Sequence, residues 1–99
     1  MKLGILVVDQ KYKQHLIGFS EAALAKGWSV KFFFSDAGVE LLQDPDLEAL
    51  AGKGVTMGYC ETSANRRKIA MEKLPRCFKR GSQLQHAMMH QFSDKVLVL

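Results

Sequence analysis

Gly54 to Arg67 reads GVTMGYCETSANRR, and the change of pattern inside this stretch decides the fold. Val55 to Tyr59 is short, apolar and β-prone and follows a glycine, which predicts a strand. Thr62 or Ser63 can then cap a helix running from about Ala64 to Glu72. A strand that passes almost at once into a helix is half of a βαβ unit, and such units build parallel sheets. Cys60 falls on the junction.

Outward from this stretch the same alternation repeats. Lys2 to Val8 is nearly continuous Leu, Ile and Val, as expected of a strand covered on both faces. Asp9 and Gln10 break the run. Leu16, Phe19, Ala23 and Leu24 then recur at helical spacing as far as Lys26, with Gly27 in the place of a C-terminal cap. Gly18 inside that helix costs about 1 kcal/mol against alanine, which close packing of the helix on the sheet would explain. Trp28 to Phe34 (WSVKFFF) predicts a second strand, ended by Ser35 and Asp36. Ala37 to Gln43 fits a short helix, and Asp44-Pro45 starts another that stops at Gly52.

On the C-terminal side, Leu74 to Phe78 fits a short strand that Pro75 confines to an edge. Ser82-Gln83-Leu84-Gln85 has the spacing of a capping box, and Leu84, Ala87, Met88 and Phe92 continue as an apolar stripe. Of the paired Met88 and Met89, one is expected in the core and the other at an interface. Lys95 to Leu99 (KVLVL) closes the chain as a strand. Right-handed βαβ units then give one mostly parallel sheet of four or five strands between helices, a single α/β domain over residues 1–99. The crevice of such a sheet lies beyond the carboxyl ends of its strands. Asp9, Gln10, Ser35, Asp36 and Cys60 all fall there.

The hydrophobic fraction of 47% and charged fraction of 24% match a globular domain rather than a disordered chain. The apolar N-terminal run is too short to span a bilayer and lacks the pattern of an export signal. With only two cysteines, the expectation is a cytoplasmic protein whose thiols stay reduced. The net charge of +4 is uneven, because Arg66 to Arg80 carries seven basic residues against Glu72 alone. That segment suits a solvated face first and an acidic protein partner second. Phe78 is its one aromatic, so a stacking platform for nucleic acid is not expected. No Gly-rich dinucleotide or phosphate loop is present, and no cofactor is expected.

Among the chemistry-bearing residues, Cys60 has the best placement. Backbone N–H groups at a helix start and the nearby Arg66 and Arg67 all favour a thiolate, the reactive form. The competing reading makes Cys60 a small buried hydrophobe. Cys77 follows a proline with no helix start after it, and suits packing better than a resolving thiol. Asp36 fits the N-cap of the following helix better than a ligand-orienting carboxylate. His86 and His90 are one turn apart and Asp94 follows, but a solvated helix face fits better than a metal site. Trp28 is read as packing.

Four stretches taken in order, LAKGWSVKFFF (24–34), SDAGVELL (35–42), GVTMGYCETSANRR (54–67) and FSDKVLVL (92–99), resemble the DsrE/DsrF-like family of small sulfur-relay proteins. The resemblance implies a three-layer α/β/α fold and a persulfide carried on a cysteine ending the third strand, the position of Cys60. It implies a sulfur carrier working with donor and acceptor proteins. The binding residues expected around Cys60 follow from placement instead: Asp9, Gln10, Ser35 and Asp36 at the strand ends, and Thr62, Ser63, Arg66 and Arg67 at the start of the third helix. The resemblance also implies a homo-oligomer, a dimer or trimer. Two features depart from the family pattern: the Asp9 to Lys13 loop is short, and Arg67 or Lys68 stands where a glycine often follows the arginine of the third helix. The alternative is a ligand-binding or oligomeric regulatory module of the same fold with Cys60 structural.

Overall fold

The computed structural model describes residues 1–99. β1 (Lys2–Val7), β2 (Ser29–Phe34), β3 (Thr56–Cys60), β4 (Phe78–Gly81) and β5 (Lys95–Val98) form one sheet in the order β4-β3-β2-β1-β5. Every neighbouring pair is parallel. The helices are α1 (Lys13–Ala25), α2 (Pro45–Gly52), α3 (Glu61–Arg66) and α4 (Gln83–Phe92), with 3-10 helices at Asp36–Gln43 and Met71–Lys73. The expected α/β architecture with a parallel sheet of five strands is what the chain adopts. No helix is long and apolar enough to cross a membrane.

Side-chain alternation sorts the strands' residues onto two faces. Leu3, Ile5 and Val7 of β1, Phe32 and Phe34 of β2, and Met57 and Tyr59 of β3 join Leu16, Ala23, Leu42, Leu47, Leu50 and Ala64 in a cluster of 19 buried residues. Phe32 and Phe34 meet edge to face at 5.8 Å, and Phe34 meets Phe78 likewise at 6.0 Å. Phe33 points the other way, into a small cluster with Cys60 and Met89. The triple phenylalanine therefore feeds both cores. Trp28 packs against the larger cluster.

Local signals account for most of the boundaries. Asp44 accepts from the Asp46 N–H at 2.9 Å with Pro45 at the first helical position, and the Lys13 ammonium lies 2.7 Å from Asp44 and 2.8 Å from Asp46. The capping box forms as read: Ser82 accepts from the Leu84 N–H, and the Ser82 N–H donates to Gln85.

Several boundaries and contacts differ from the reading of the sequence. α3 stops at Arg66, not Glu72, because Lys68 takes a left-handed conformation (φ 57°). The Lys68 N–H then donates to Asn65 O and the Ile69 N–H to Ala64 O, the two bonds of a Schellman motif. Glycine normally occupies that position, so Lys68 gave no stop signal. β4 starts at Phe78 rather than spanning Leu74 to Phe78, since Pro75 O accepts from the Phe78 N–H across a turn holding Arg76 and Cys77. Gly18 is exposed with nothing near a would-be Cβ, so close helix packing does not explain it, and Phe19 is 48% exposed rather than core.

Candidate functional site

The carboxyl ends of β1, β2, β3 and β4 open into a cleft of about 630 Å³. Leu6 and Val8 border it at the end of β1, Ser35 and Asp36 after β2, and Cys60 at the end of β3. Two helices close it: Thr62, Ser63 and Arg66 of α3, and Ser82, Gln83, Leu84 and His86 at the start of α4. The pairing of Cys60 with Gly81 in the β3–β4 register brings the start of α4 beside the thiol.

Cys60 is 5% exposed. It occupies the N-cap position of α3, with extended backbone (φ −80°, ψ 117°), so neither Thr62 nor Ser63 is the cap. Ser63 has another task. Its Oγ accepts from the Asp36 N–H at 3.0 Å, which leaves the hydroxyl hydrogen to donate elsewhere. Burial pushes the Cys60 thiol up, but the Ser63 hydroxyl and N–H, the Gln83 side chain and the Thr62 N–H together hold it below the ordinary thiol value. Donors to the charged form thus outweigh desolvation.

Asp36 is not an N-cap. Ser35 holds that position, and Asp36 itself is left-handed (φ 48°), a conformation costing a non-glycine residue about 1–3 kcal/mol. Its bond to Ser63 ties the chain after β2 to α3. Gly38, two residues on, comes so close to the Val7 carbonyl that a Cβ there would collide with it.

The expected binding residues divide into three groups. Ser35, Asp36, Thr62, Ser63 and Arg66 border the cleft with Cys60. Arg67 instead faces an adjoining depression with Asp36, Ser63 and Arg66, and its guanidinium lies 3.4 Å from Glu40. Asp9 and Gln10 do not line the cleft: Asp9 accepts from the Lys11 N–H at 3.1 Å, its own N–H donates to Leu99 O, and Gln10 is exposed. Cys77 packs against the larger cluster, and burial followed by the charge of Glu48 raises its pKa. The two thiols therefore serve different cores and shift in opposite directions.

Of the cleft residues not anticipated, Gln83 and His86 bear on the chemistry. Gln83 was read only as part of the capping box, and His86 only as a solvated face. His86 is half-buried, stacked on Phe33 at 5.5 Å with an interplanar angle of 11°. Burial and then the neighbouring His90 lower its pKa. Asp94 lies beyond the end of α4 and accepts from the Lys2 N–H at 2.7 Å, away from the histidines.

A family model, the DsrE/DsrF-like family, matches residues 1–99. The chain belongs to this family. Solved structures agree on the fold. A protein of unknown function from Methanobacterium thermoautotrophicum is similar with a TM-score of 0.82 at 16% identity, covering 99% of this chain and 98% of its own. A conserved protein of unknown function from Bacteroides thetaiotaomicron gives 0.79 at 15% identity, with 99% and 94% covered. The ychN protein of E. coli gives 0.72 at 21% identity, with both chains covered completely, 100% each. No curated protein matches the chain.

Proposed function

We propose that this DsrE/DsrF-like protein carries sulfane sulfur as a persulfide on Cys60. The observation that supports the reading most is the thiol's surroundings: at the end of β3, beside an open cleft, with hydrogen-bond donors that keep its pKa low. A thiolate is the nucleophile, and a thiol whose pKa lies near ambient pH attacks best.

The Cys60 thiolate attacks the outer sulfur of a donor persulfide. A new S–S bond forms on Cys60, the donor's S–S bond breaks, and the electron pair leaves on the donor's inner sulfur as a thiolate. Nothing is oxidised overall. Transfer onward reverses the roles, with the Cys60 thiolate as leaving group, which a low pKa also favours. Ser63 and Gln83 can serve both halves, because side chains that lower the thiol's pKa favour the ionised sulfur as nucleophile and as leaving group alike.

The partners proposed are a donor and an acceptor protein, with acidic surfaces suiting the basic segment from Arg66 to Arg80, and further copies of this chain in a dimer or trimer. The test is mass spectrometry after exposure to a persulfide donor. Cys60→Ser should abolish the gain of one sulfur atom, whereas Cys77→Ser should retain most of it. Loading on Cys77 with Cys60 untouched would overturn the assignment, and a Cys60 closed to alkylation would leave a binding module with Cys60 as packing. Light scattering that shows only monomer at micromolar concentration would overturn the oligomer.

A further inference from the structure

The side of α4 that borders the cleft carries Gln83, His86 and His90, spaced three and four residues apart and so aligned along one helix face. They form a continuous chain. His86 Nδ1 lies 2.9 Å from Gln83 Oε1, and His86 Nε2 lies 2.9 Å from His90 Nε2. Phe33, stacked beneath the His86 ring, fixes its plane. Gln83 and His86 both line the cleft with Cys60, while His90 is exposed.

With the Gln83 oxygen facing His86, donor and acceptor rules give the protons of this chain. An amide oxygen only accepts, so His86 Nδ1 carries the hydrogen that binds Gln83 Oε1. In neutral His86 the other nitrogen, Nε2, then has only a lone pair, and His90 donates its Nε2–H to it. With its oxygen held in this way, Gln83 can offer only its NH2 group to the cleft. A primary amide that presents N–H favours an ionised sulfur; turned over, its oxygen would repel one.

We propose that His86 is a positioning residue for Cys60: it fixes the Gln83 side chain so that the amide nitrogen, not the oxygen, is presented to the cleft that Cys60 borders, and His90 holds His86 in the required tautomer. This rests on the reading of Cys60 as the sulfur carrier, and it assigns the residue that keeps the thiolate's donor correctly oriented. Four other charged groups lie near the chain. Asp36 and Arg66 border the same cleft, while Lys31 and Lys79 lie farther along this face of the sheet, Lys31 with its ammonium 4.8 Å from the Phe92 ring. None of them interrupts the bonds from His90 to Gln83.

The test is the pH dependence of Cys60 alkylation by iodoacetamide in a Cys77→Ser background. Gln83→Leu should move the profile to higher pH and slow the reaction near neutrality roughly three- to tenfold, equivalent to a pKa rise of about half to one unit. His86→Leu should do the same, and the double variant should add little to either, because both remove one interaction. His86→Asn, whose amide nitrogen can reach the place of Nδ1, should restore most of the rate. Gln83→Glu, close in shape, should slow alkylation by placing a carboxylate beside the sulfur.

A wild-type profile in both Gln83→Leu and His86→Leu would overturn the proposal. So would a shift in Gln83→Leu alone, which would show that Gln83 needs no positioning. Persulfide loading is read separately. Loading with unshifted profiles defeats the positioning role and spares the carrier reading, whereas shifted profiles with no loading do the reverse.

Discussion

One face of the sheet lies under α1, α2, α3 and the 3-10 helix at Asp36–Gln43, over 19 buried residues, while the other has α4 alone, over Phe33, Cys60 and Met89. The inequality follows from topology. From β1 to β4 each crossover steps the same way along the sheet, and right-handed crossovers that step the same way put their helices on the same face. The step from β4 to β5 returns across the whole sheet in the opposite sense, so α4 is delivered to the other face. The thick face holds the apolar mass, and the thin face holds the candidate nucleophile and the polar chain beside it.

The sharpest way to break this comparison is to excavate both faces. Phe34, fully buried in the larger cluster, should cost about 3–5 kcal/mol on replacement by alanine, and Met89→Ala about 2–3 kcal/mol, since the thin side can relax toward solvent. Urea unfolding midpoints would check this. Equal losses would mean that the thin face contributes as much as the thick one.

Two glycines refine the contrast within the thin face. A Cβ at Gly4 would collide with Ser93 Oγ where the end of α4 settles on β1, whereas at Gly58 it would meet only Lys79 O at 3.5 Å and Phe33 at 3.6 Å. Gly4→Ala should therefore destabilise by about 1–3 kcal/mol, and Gly58→Ala should stay within about 0.5 kcal/mol of wild type. The same denaturation assay applies, and a costly Gly58→Ala would show that α4 shields more of the sheet than Gly4 and Met89 indicate.

A smaller effect separates the two cysteines by pH. The folded pKa of Cys60 is lowered, so its contribution is complete above the ordinary thiol value of about 8.5 and fades as pH falls through the folded value. The folded pKa of Cys77 is raised, so its contribution is complete below the ordinary value and is lost as pH rises through the folded one. Between about pH 6 and about pH 10, the stability gap between wild type and Cys60→Ser should widen upward, and that for Cys77→Ser should narrow. Parallel gaps in denaturation at several pH values would refute the difference in environment.

The smallest expected change lies at the end of α3. Lys68→Gly should stabilise by about 0.5–1 kcal/mol, because glycine enters the left-handed region without the penalty that lysine bears there. A loss of stability in thermal melts would mean that Lys68 makes contacts that offset its strain.

Much of this was legible in the chain. The strands β1, β2, β3 and β5 announce themselves through apolar or aromatic runs, and the caps at Asp44 and Ser82 through side chains that bind their own helix start. Cys60 at a strand-to-helix junction could be read in the same way, since strand, junction and helix are neighbours in sequence. The extent of β4 could not: of Phe78–Gly81 only Phe78 is buried, so an edge strand left no period to read. The end of α3 was hidden because a lysine, which carries no stop signal, adopts the conformation usually left to glycine.

By itself, then, the sequence determined the kind of most elements, the parallel α/β class and the place of Cys60, because these rest on interactions within a few residues. Only the tertiary structure decided what surrounds the thiol. Hydrophobic periodicity assigns a strand to a sheet but does not say which strand lies beside it. The order β4-β3-β2-β1-β5 and the register of Cys60 with Gly81 bring Gln83 and His86, more than twenty residues on, to the rim of the same cleft. Likewise the Asp36 N–H meets Ser63 only because β2 and β3 are neighbours. These contacts join segments distant in the chain, and strand pairing and packing, not local propensity, create them.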